Sequence, residues 1–320
     1  MRAFSTDRYA VPLPDGHPFP MRKYRVLREL LVAEGTLREE DVADPGLVSR
    51  EDAETAHDPE WVDAVFAARV DREMEKRIGL PVTPALSARA RAAAAATLGA
   101  ARAALRDGIA SNLAGGTHHA GRARGAGFCL LNDLAIAALV LRRDGAVRRV
   151  AIVDLDVHQG DGTHEILAGR RDAFTFSMHG ARNFPRVKVA GDLDVELPDG
   201  AGDEVFLDAL DRDLPRVLDG FGPDLVLYQA GVDPLRGDRF GRLALSHGGL
   251  RERDRRVIAS CRARGIPVAT VLGGGYARDL ERSIEAHANT IREAKRAHDD
   301  VTRDFDARRS PATDVRCGPT

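Results

Sequence analysis

Short apolar runs alternate with longer stretches of helical periodicity along most of the chain. Residues 109–113, 150–154, 173–177, 224–229 and 268–272 are dominated by Val, Ile, Leu, Ala, Phe and Tyr, the pattern of strands buried on both faces. Between them the apolar positions recur at helical spacing. Tyr24, Leu27, Leu30 and Leu31 predict a helix starting near Met21. Trp61, Val62, Val65 and Phe66 predict a helical stretch over 60–78, read as core rather than as an aromatic binding box, with His57 serving the helix start. Thr83 and Pro84 form an N-cap and first helical position, and an alanine-rich helix follows until Gly108 ends it. Leu134, Ile136, Ala137 and Leu141 mark a helix over 132–143. Further helices are expected from about Asp203, kinked at Pro215, from Ser246 or Gly248 to Gly265, and over 279–298. Residues 1–20 and 180–202 read as loops, the latter with extended pieces at 187–189 and 193–197, and residues 299–320 as a polar, mobile tail. Strand and helix alternation of this kind over residues 1–298 implies a single α/β domain, with a mostly parallel sheet and helices on both faces.

Composition narrows the classes. At 320 residues the length does not force a second domain, and 47 Lys and Arg against 49 Asp and Glu leave a net charge of −2. Nonspecific nucleic-acid binding is therefore not expected. Cys129, Cys261 and Cys317 are odd in number and lack metal-finger spacing, which fits a reducing interior, and Cys129 reads as a small buried hydrophobe rather than a nucleophile. No secretion signal and no membrane-spanning apolar run is evident, so a soluble, cytoplasmic protein is the simplest reading. Nothing in the pattern specifies an oligomeric state.

The chemistry gathers where strands stop. After the run at 150–154 come Asp154, Asp156 and His158 at spacing two, on one side of an extended segment, with Leu155 and Val157 on the other. Oxygen and nitrogen donors in that pattern suit a divalent metal. Gly160 and Gly162 are expected to form a tight turn that returns Asp161 to the site. His118 and His119 follow the run at 109–113 behind two glycines, Asp233 follows the run at 224–229, and Tyr276 follows Gly273–Gly275. Open α/β sheets bind ligands at the carboxyl ends of their strands. His17 is a candidate to line the site, although a lone loop histidine is more often structural.

These segments read GGTHHA, GFCLLND, DLDVHQGDGT, SMHG, AGVDPLRGDRFG and LGGGY, and in that order they resemble the histone deacetylase family of the arginase/deacetylase superfamily over residues 110–280. HPFPMRKY and GDRFGRLALS look most like class IV and related bacterial members. The resemblance implies an arginase/deacetylase-like fold and a zinc-dependent amidohydrolase acting on N-acyl-lysine side chains or small acetylated, polyamine-like amines. It makes Asp156, His158 and Asp233 zinc ligands, a site that iron(II) can also occupy. It makes His119 the proton-transfer residue, His118 its electrostatic support, Asp154 and Asp161 their orienting carboxylates, and Tyr276 the oxyanion donor. Gly127, Phe128 and Phe184 match the walls of an acyl-lysine tunnel. A structural potassium ion would lie at Asp154, Asp156, His158, Ser177 and Met178. Phe240 departs from the family, whose members usually carry a smaller aliphatic residue at the tunnel rim, and so bears on the accepted acyl chain. An arginase-like ureohydrolase, which needs further carboxylates for two manganese ions, and an inactive acyl-lysine-binding protein are the competing readings.

Overall fold

The computed structural model describes residues 1–14 and 16–309, with side chains described through residue 300. Its centre is an eight-stranded sheet built from β1 (Ala3–Phe4), β2 (Val42–Ala43), β3 (Ile109–Asn112), β4 (Val150–Asp154), β5 (Ala173–Gly180), β6 (Leu193–Leu197), β7 (Leu225–Gln229) and β8 (Val268–Val271). The order across the sheet is β2-β1-β3-β8-β7-β4-β5-β6, and every pairing is parallel. Alternate side chains enter two separate cores: Ala151, Val153, Val226 and Tyr228 lie in one, and Val150, Ile152, Leu225 and Leu227 in the other. The period-two geometry of a strand thus explains why these runs have no polar face.

Among the described residues ten α-helices cover the two faces and edges: α1 (Lys23–Ala33), α2 (Arg50–Glu54), α3 (Pro59–Phe66), α4 (Arg72–Ile78), α5 (Pro84–Asp107), α6 (Asp133–Arg143), α7 (Asp161–Leu167), α8 (Asp203–Pro215), α9 (His247–Ala263) and α10 (Leu280–Arg309). Thr83 caps α5 by accepting from Leu86 N, Asn132 caps α6 through Ala135 N, and Ser246 caps α9 through Gly249 N. The alanines of α5 let it lie close to β3, β8 and α6. Where the helix passes β1, a Cβ at Gly99 would press on the Phe4 ring.

Several expectations change. The helical stretch over 60–78 is two helices, broken between α3 and α4, where Ala68 takes a positive φ of 50°. His57 does not serve the start of α3, whose N-cap is Asp58; it is buried between Gly121 and Asn132. Strand β5 continues to Gly180 because residues 176–180 pair with β6, so residues 193–197 are an edge strand rather than part of a loop. Residues 3–4 are a strand, too short to show a period, that joins β3 to β2. After Pro215 the chain runs on as a π-helix over Arg216–Phe221. Helix α10 extends beyond residue 298, and the rest of the proposed tail, residues 310–320, lies outside the described residues. Among the described residues no helix is long and apolar enough to cross a membrane.

Candidate active site

The sheet order puts β3, β8, β7 and β4 side by side, so the segments leaving their carboxyl ends converge. Strand β4 stops at Asp154, and the next residues bend rather than continue extended. Asp156 N donates to Asp154 Oδ1 (3.2 Å) and His158 N to Asp156 Oδ1 (3.0 Å), which folds the segment into a compact arc. Leu155 and Val157 enter the core, as their alternation predicts. Gly160 makes the expected tight turn, with φ −74° and ψ 62° and Asp161 N donating to Gln159 O (2.9 Å), and so returns Asp161 to the site; Gly162 makes none, because Asp161 opens α7 and Gly162 lies inside it. At Gly162 the requirement is close approach, since a Cβ would run into the Ala120 carbonyl.

Asp156, His158 and Asp233 meet with one ligand atom each, all within 4.8 Å of one another, and form the only such group of three or more among the described residues. His158 Nδ1 is 3.0 Å from Asp156 Oδ1 and 3.1 Å from Asp233 Oδ2. Asp233 Oδ1 accepts from Val157 N (2.9 Å), and Asp156 Oδ2 from Gly274 N (2.8 Å). Asp233 Oδ2 is buried and accepts no hydrogen bond; its approach to His158 has the distance of one without the direction. A buried carboxylate oxygen left in that state is costly. Burial opposes charge on His158, yet Asp233 and Asp156 pull its imidazole up to about 10. Burial, and then the neighbouring Asp156, push Asp233 up to about 7. The cluster therefore attracts positive charge, and its two carboxylates and one imidazole are a donor set that fits a divalent metal. Gly274 backs it closely: a Cβ there would collide with Asp233 Oδ2.

Beside this cluster stand the tandem histidines, with ring centroids 4.1 Å apart. His118 Nδ1 lies 2.7 Å from Asp154 Oδ2, and His119 Nδ1 2.6 Å from Asp161 Oδ1. Each Nδ1–H faces a carboxylate, which leaves each Nε2 free to act. Their surroundings separate them. Burial lowers His118, but Asp154 and Asp156 outweigh it and lift the imidazole to about 9. Burial, together with the charge on His118, takes His119 down to about 4 despite Asp161. The two carboxylate-held rings are thus pushed in opposite directions.

A cavity of about 470 Å³ joins these groups to solvent, lined by His118, His119, Asp156, His158, Asp233 and Tyr276 at its base. Gly127, Phe128, Phe184 and Phe240 line it as well. Phe184 stands edge-on to His119 at 4.8 Å and is 46% exposed; Phe240 packs on Tyr276 at 5.2 Å and is 36% exposed. Burial, then Asp233 and Asp156, push the Tyr276 phenol well above its ordinary range, so it remains a hydrogen-bond donor. Ser177 and Met178 are buried on β5, with Ser177 in register with Asp154, outside the cavity lining. Cys129 reaches the cavity wall, but burial raises its thiol far above neutrality, as suits a packing residue. His17 is structural: Nδ1 accepts from Phe19 N (3.1 Å) and Nε2 meets Gly79 O (3.1 Å).

Some contributors were not singled out in the sequence. Phe19 lines the cavity and packs on Phe128 at 5.2 Å; its one sequence signal is an aromatic between two prolines before a helix. Asp133, buried at the start of α6, accepts from Gly116 N (2.9 Å) and Thr117 N (2.7 Å) and so fixes the loop carrying the tandem histidines. Arg124 bridges Asp161 (3.2 Å) and Glu165 (2.7 Å). Arg253 on α9, fully buried, donates to the carbonyls of Leu155 (3.2 Å) and Gly231 (2.6 Å), tying together the segments that carry Asp156 and Asp233.

The histone deacetylase domain model matches residues 17–291. An uncharacterised protein of Picosynechococcus is 44% identical over 90% of this chain and 96% of its own length. Histone deacetylase 2 of Arabidopsis thaliana is 30% identical over 84% of this chain and 72% of its own length. Among solved structures, an HDAC homologue complexed with SAHA superposes with a TM-score of 0.80 at 25% identity, over 92% of this chain and 83% of that one. With the strand-end site and the sheet order in agreement, the chain belongs to the histone deacetylase family.

Proposed function

We propose that the protein is a zinc-dependent amidohydrolase that removes acetyl or other acyl groups from N-acyl-lysine side chains or small acetylated amines. The observation that carries this reading is the single cavity in which an aromatic passage ends at an Asp–His–Asp cluster flanked by two carboxylate-held histidines. Zinc held by Asp156, His158 and Asp233 would supply Lewis-acid polarisation of a carbonyl and of water. His119, neutral in these surroundings, takes a proton from the attacking water and returns it to the departing amine. His118, held by Asp154 at its Nδ1, gives electrostatic support beside it. Tyr276 donates its hydroxyl to the carbonyl oxygen as that oxygen gains charge. Phe128 and Phe184 hold the linear part of the substrate. Potassium at Asp154, Asp156, His158, Ser177 and Met178 would stiffen the end of β4 beside β5. One three-residue metal group among the described residues favours this reading over a two-manganese ureohydrolase. The buried thiols of Cys129 and Cys261 suit the reducing cytoplasm in which we place the protein.

The test is release of acetate from an acetyl-lysine peptide, before and after the metal is removed by chelation and restored as zinc. Turnover should vanish and return. A zinc-loaded protein that releases no acetate would end the deacetylase reading. SAHA, the compound in the related structure, should compete with the peptide.

A further inference from the structure

The mouth of the cavity is ringed by guanidinium groups. Arg77 on α4, Arg182 in the segment between β5 and β6, and Arg242 beyond β7 all line the opening and are exposed. Arg239 joins them, its guanidinium 5.5 Å from the centroid of the Phe240 ring at the same rim. The carboxylate facing these groups is Asp199, shared by Arg182 (3.5 Å) and Arg242 (3.2 Å). Among the described residues Arg77 and Arg239 take part in no ion pair. Of the neighbouring acids, Asp238 accepts from Phe240 N, Gly241 N and Tyr276 N, Glu75 accepts from Val82 N, and Glu73, one turn before Arg77 on α4, forms no ion pair with it. Lys188 adds a further positive charge behind Phe184, where it binds the Asn183 and Pro185 carbonyls. This is a local departure, because Lys and Arg total 47 against 49 Asp and Glu over the whole chain.

The position of the ring decides which part of a substrate it meets. On the deacetylase reading the acyl group and scissile amide would lie at the base of the cavity, with the linear segment between the aromatic walls. Whatever follows the linear segment emerges among Arg77, Arg182, Arg239 and Arg242. The apolar rim residues Phe184 and Phe240 displace water there and strengthen the field of those charges. Charge complementarity at such a rim acts on encounter and on discrimination between partners more than on total affinity. A polycationic amine leaving the passage would be repelled, whereas carboxylates at that point would find unpaired guanidiniums.

We propose that the site selects acyl amides whose amine portion carries negative charge, in particular N-acyl-lysine flanked by acidic residues, and discriminates against acylated polyamines. The proposal rests on the deacetylase reading for the identity of the bond cleaved, but its own content is the charge of the group beyond the passage.

The experiment measures binding of the full-length protein by calorimetry to peptides built around one acetyl-lysine, with flanks of aspartate, of glycine and serine, or of lysine. Acetate release is followed separately on the same peptides. Two exposed ion pairs predict aspartate flanks binding roughly 3- to 10-fold more tightly than neutral ones, with lysine flanks weakest. The spread should contract as salt rises and the Debye length shortens. In Arg77→Gln/Arg239→Gln the ratio of acidic to neutral affinity should fall towards one. Equal affinities, a reversed order, an unchanged ratio in the double variant, or equally tight binding of an acidic peptide with unmodified lysine would each overturn the proposal. Absence of acetate release from every peptide would instead overturn the deacetylase reading, with the binding order still deciding this one.

Discussion

The two halves of the base of the cavity are built on opposite terms. In the tandem-histidine half, each imidazole is matched to a carboxylate, His118 to Asp154 and His119 to Asp161, and the loop itself is held by Asp133. In the other half, Asp156, His158 and Asp233 crowd together and leave Asp233 Oδ2 buried without a hydrogen bond. The first half is complete as polypeptide, and the second has a donor set that a cation would satisfy. Removing one member of the second half should therefore act through metal retention, whereas changes in the first should act on proton transfer with the metal kept.

The largest effect is expected at Asp233 and Asp156. Asp233→Ala or Asp156→Ala should lose zinc, measured by atomic emission after gel filtration, and lose activity with it. A variant with one zinc per chain and full turnover would show that the cluster is not the metal site. Next comes Tyr276→Phe, which removes a hydroxyl and keeps the ring. Loss of one oxyanion donor costs on the order of 10²–10³ in kcat, roughly 3–4 kcal/mol, while zinc content and fold should not change. Activity within about twofold of wild type would remove Tyr276 from the mechanism.

The satisfied half makes a prediction about pH. His57 is buried, and its Nδ1–H donates to Gly121 O (2.9 Å) while Nε2 accepts from Asn132 N (2.8 Å), so the neutral ring ties the middle of the tandem-histidine loop to its C-terminal end. Burial lowers its imidazole from 6.5 to about 4. The folded protein then binds fewer protons than the unfolded chain between those values. The stabilisation is full above pH 6.5 and is lost as pH falls towards 4. Its full extent is on the order of 3 kcal/mol. Denaturant midpoints of wild type and His57→Gln should differ most at pH 7 and converge by about pH 4. A difference constant across that range would mean that His57 does not titrate in the unfolded chain alone.

The completeness of each half also sets what the sequence reveals. Asp154, Asp156 and His158 stand out because they follow directly on an apolar run, and the parallel sheet is legible because runs such as 150–153 and 225–228 are apolar on both faces. The supporting groups are hidden. Arg253 and Asp133 sit in helices where a charge ordinarily marks the solvent face, yet both are fully buried. Their partners include backbone groups of the loops at the strand ends, a relation that has no sequence period. Gly162 misleads in another way: it reads as a turn, but it serves the close approach of α7 to Ala120. The break after α3 is equally silent, because it falls at Ala68, a residue with no breaker signature.

Phe240 lies outside both halves, and so tests whether the mouth can be altered without touching either. Its ring packs on Tyr276 at 5.2 Å and on Phe128 at 6.3 Å, and its backbone is fixed by Asp238, which accepts from Phe240 N (2.8 Å), and by Asn183, whose side chain donates to Phe240 O (2.7 Å). With the backbone held from both sides, Phe240→Leu should change the space in the cavity more than the course of the chain. The smaller side chain widens the passage beside Tyr276, so longer acyl groups should gain relative to acetyl. A change worth one or two methylenes in an apolar pocket is about 1 kcal/mol here at the partly exposed rim, or roughly fivefold in the ratio of kcat/KM values. Zinc content should equal that of wild type, and the pH profile for acetyl substrate should keep its shape, because neither the metal cluster nor the histidine–carboxylate pairs touch the ring. An unchanged preference among acetyl, butyryl and hexanoyl peptides would place Phe240 away from the path of the acyl chain. An altered zinc content would instead show that the mouth and the metal half are mechanically linked, through the Asp238 contact to Tyr276 N.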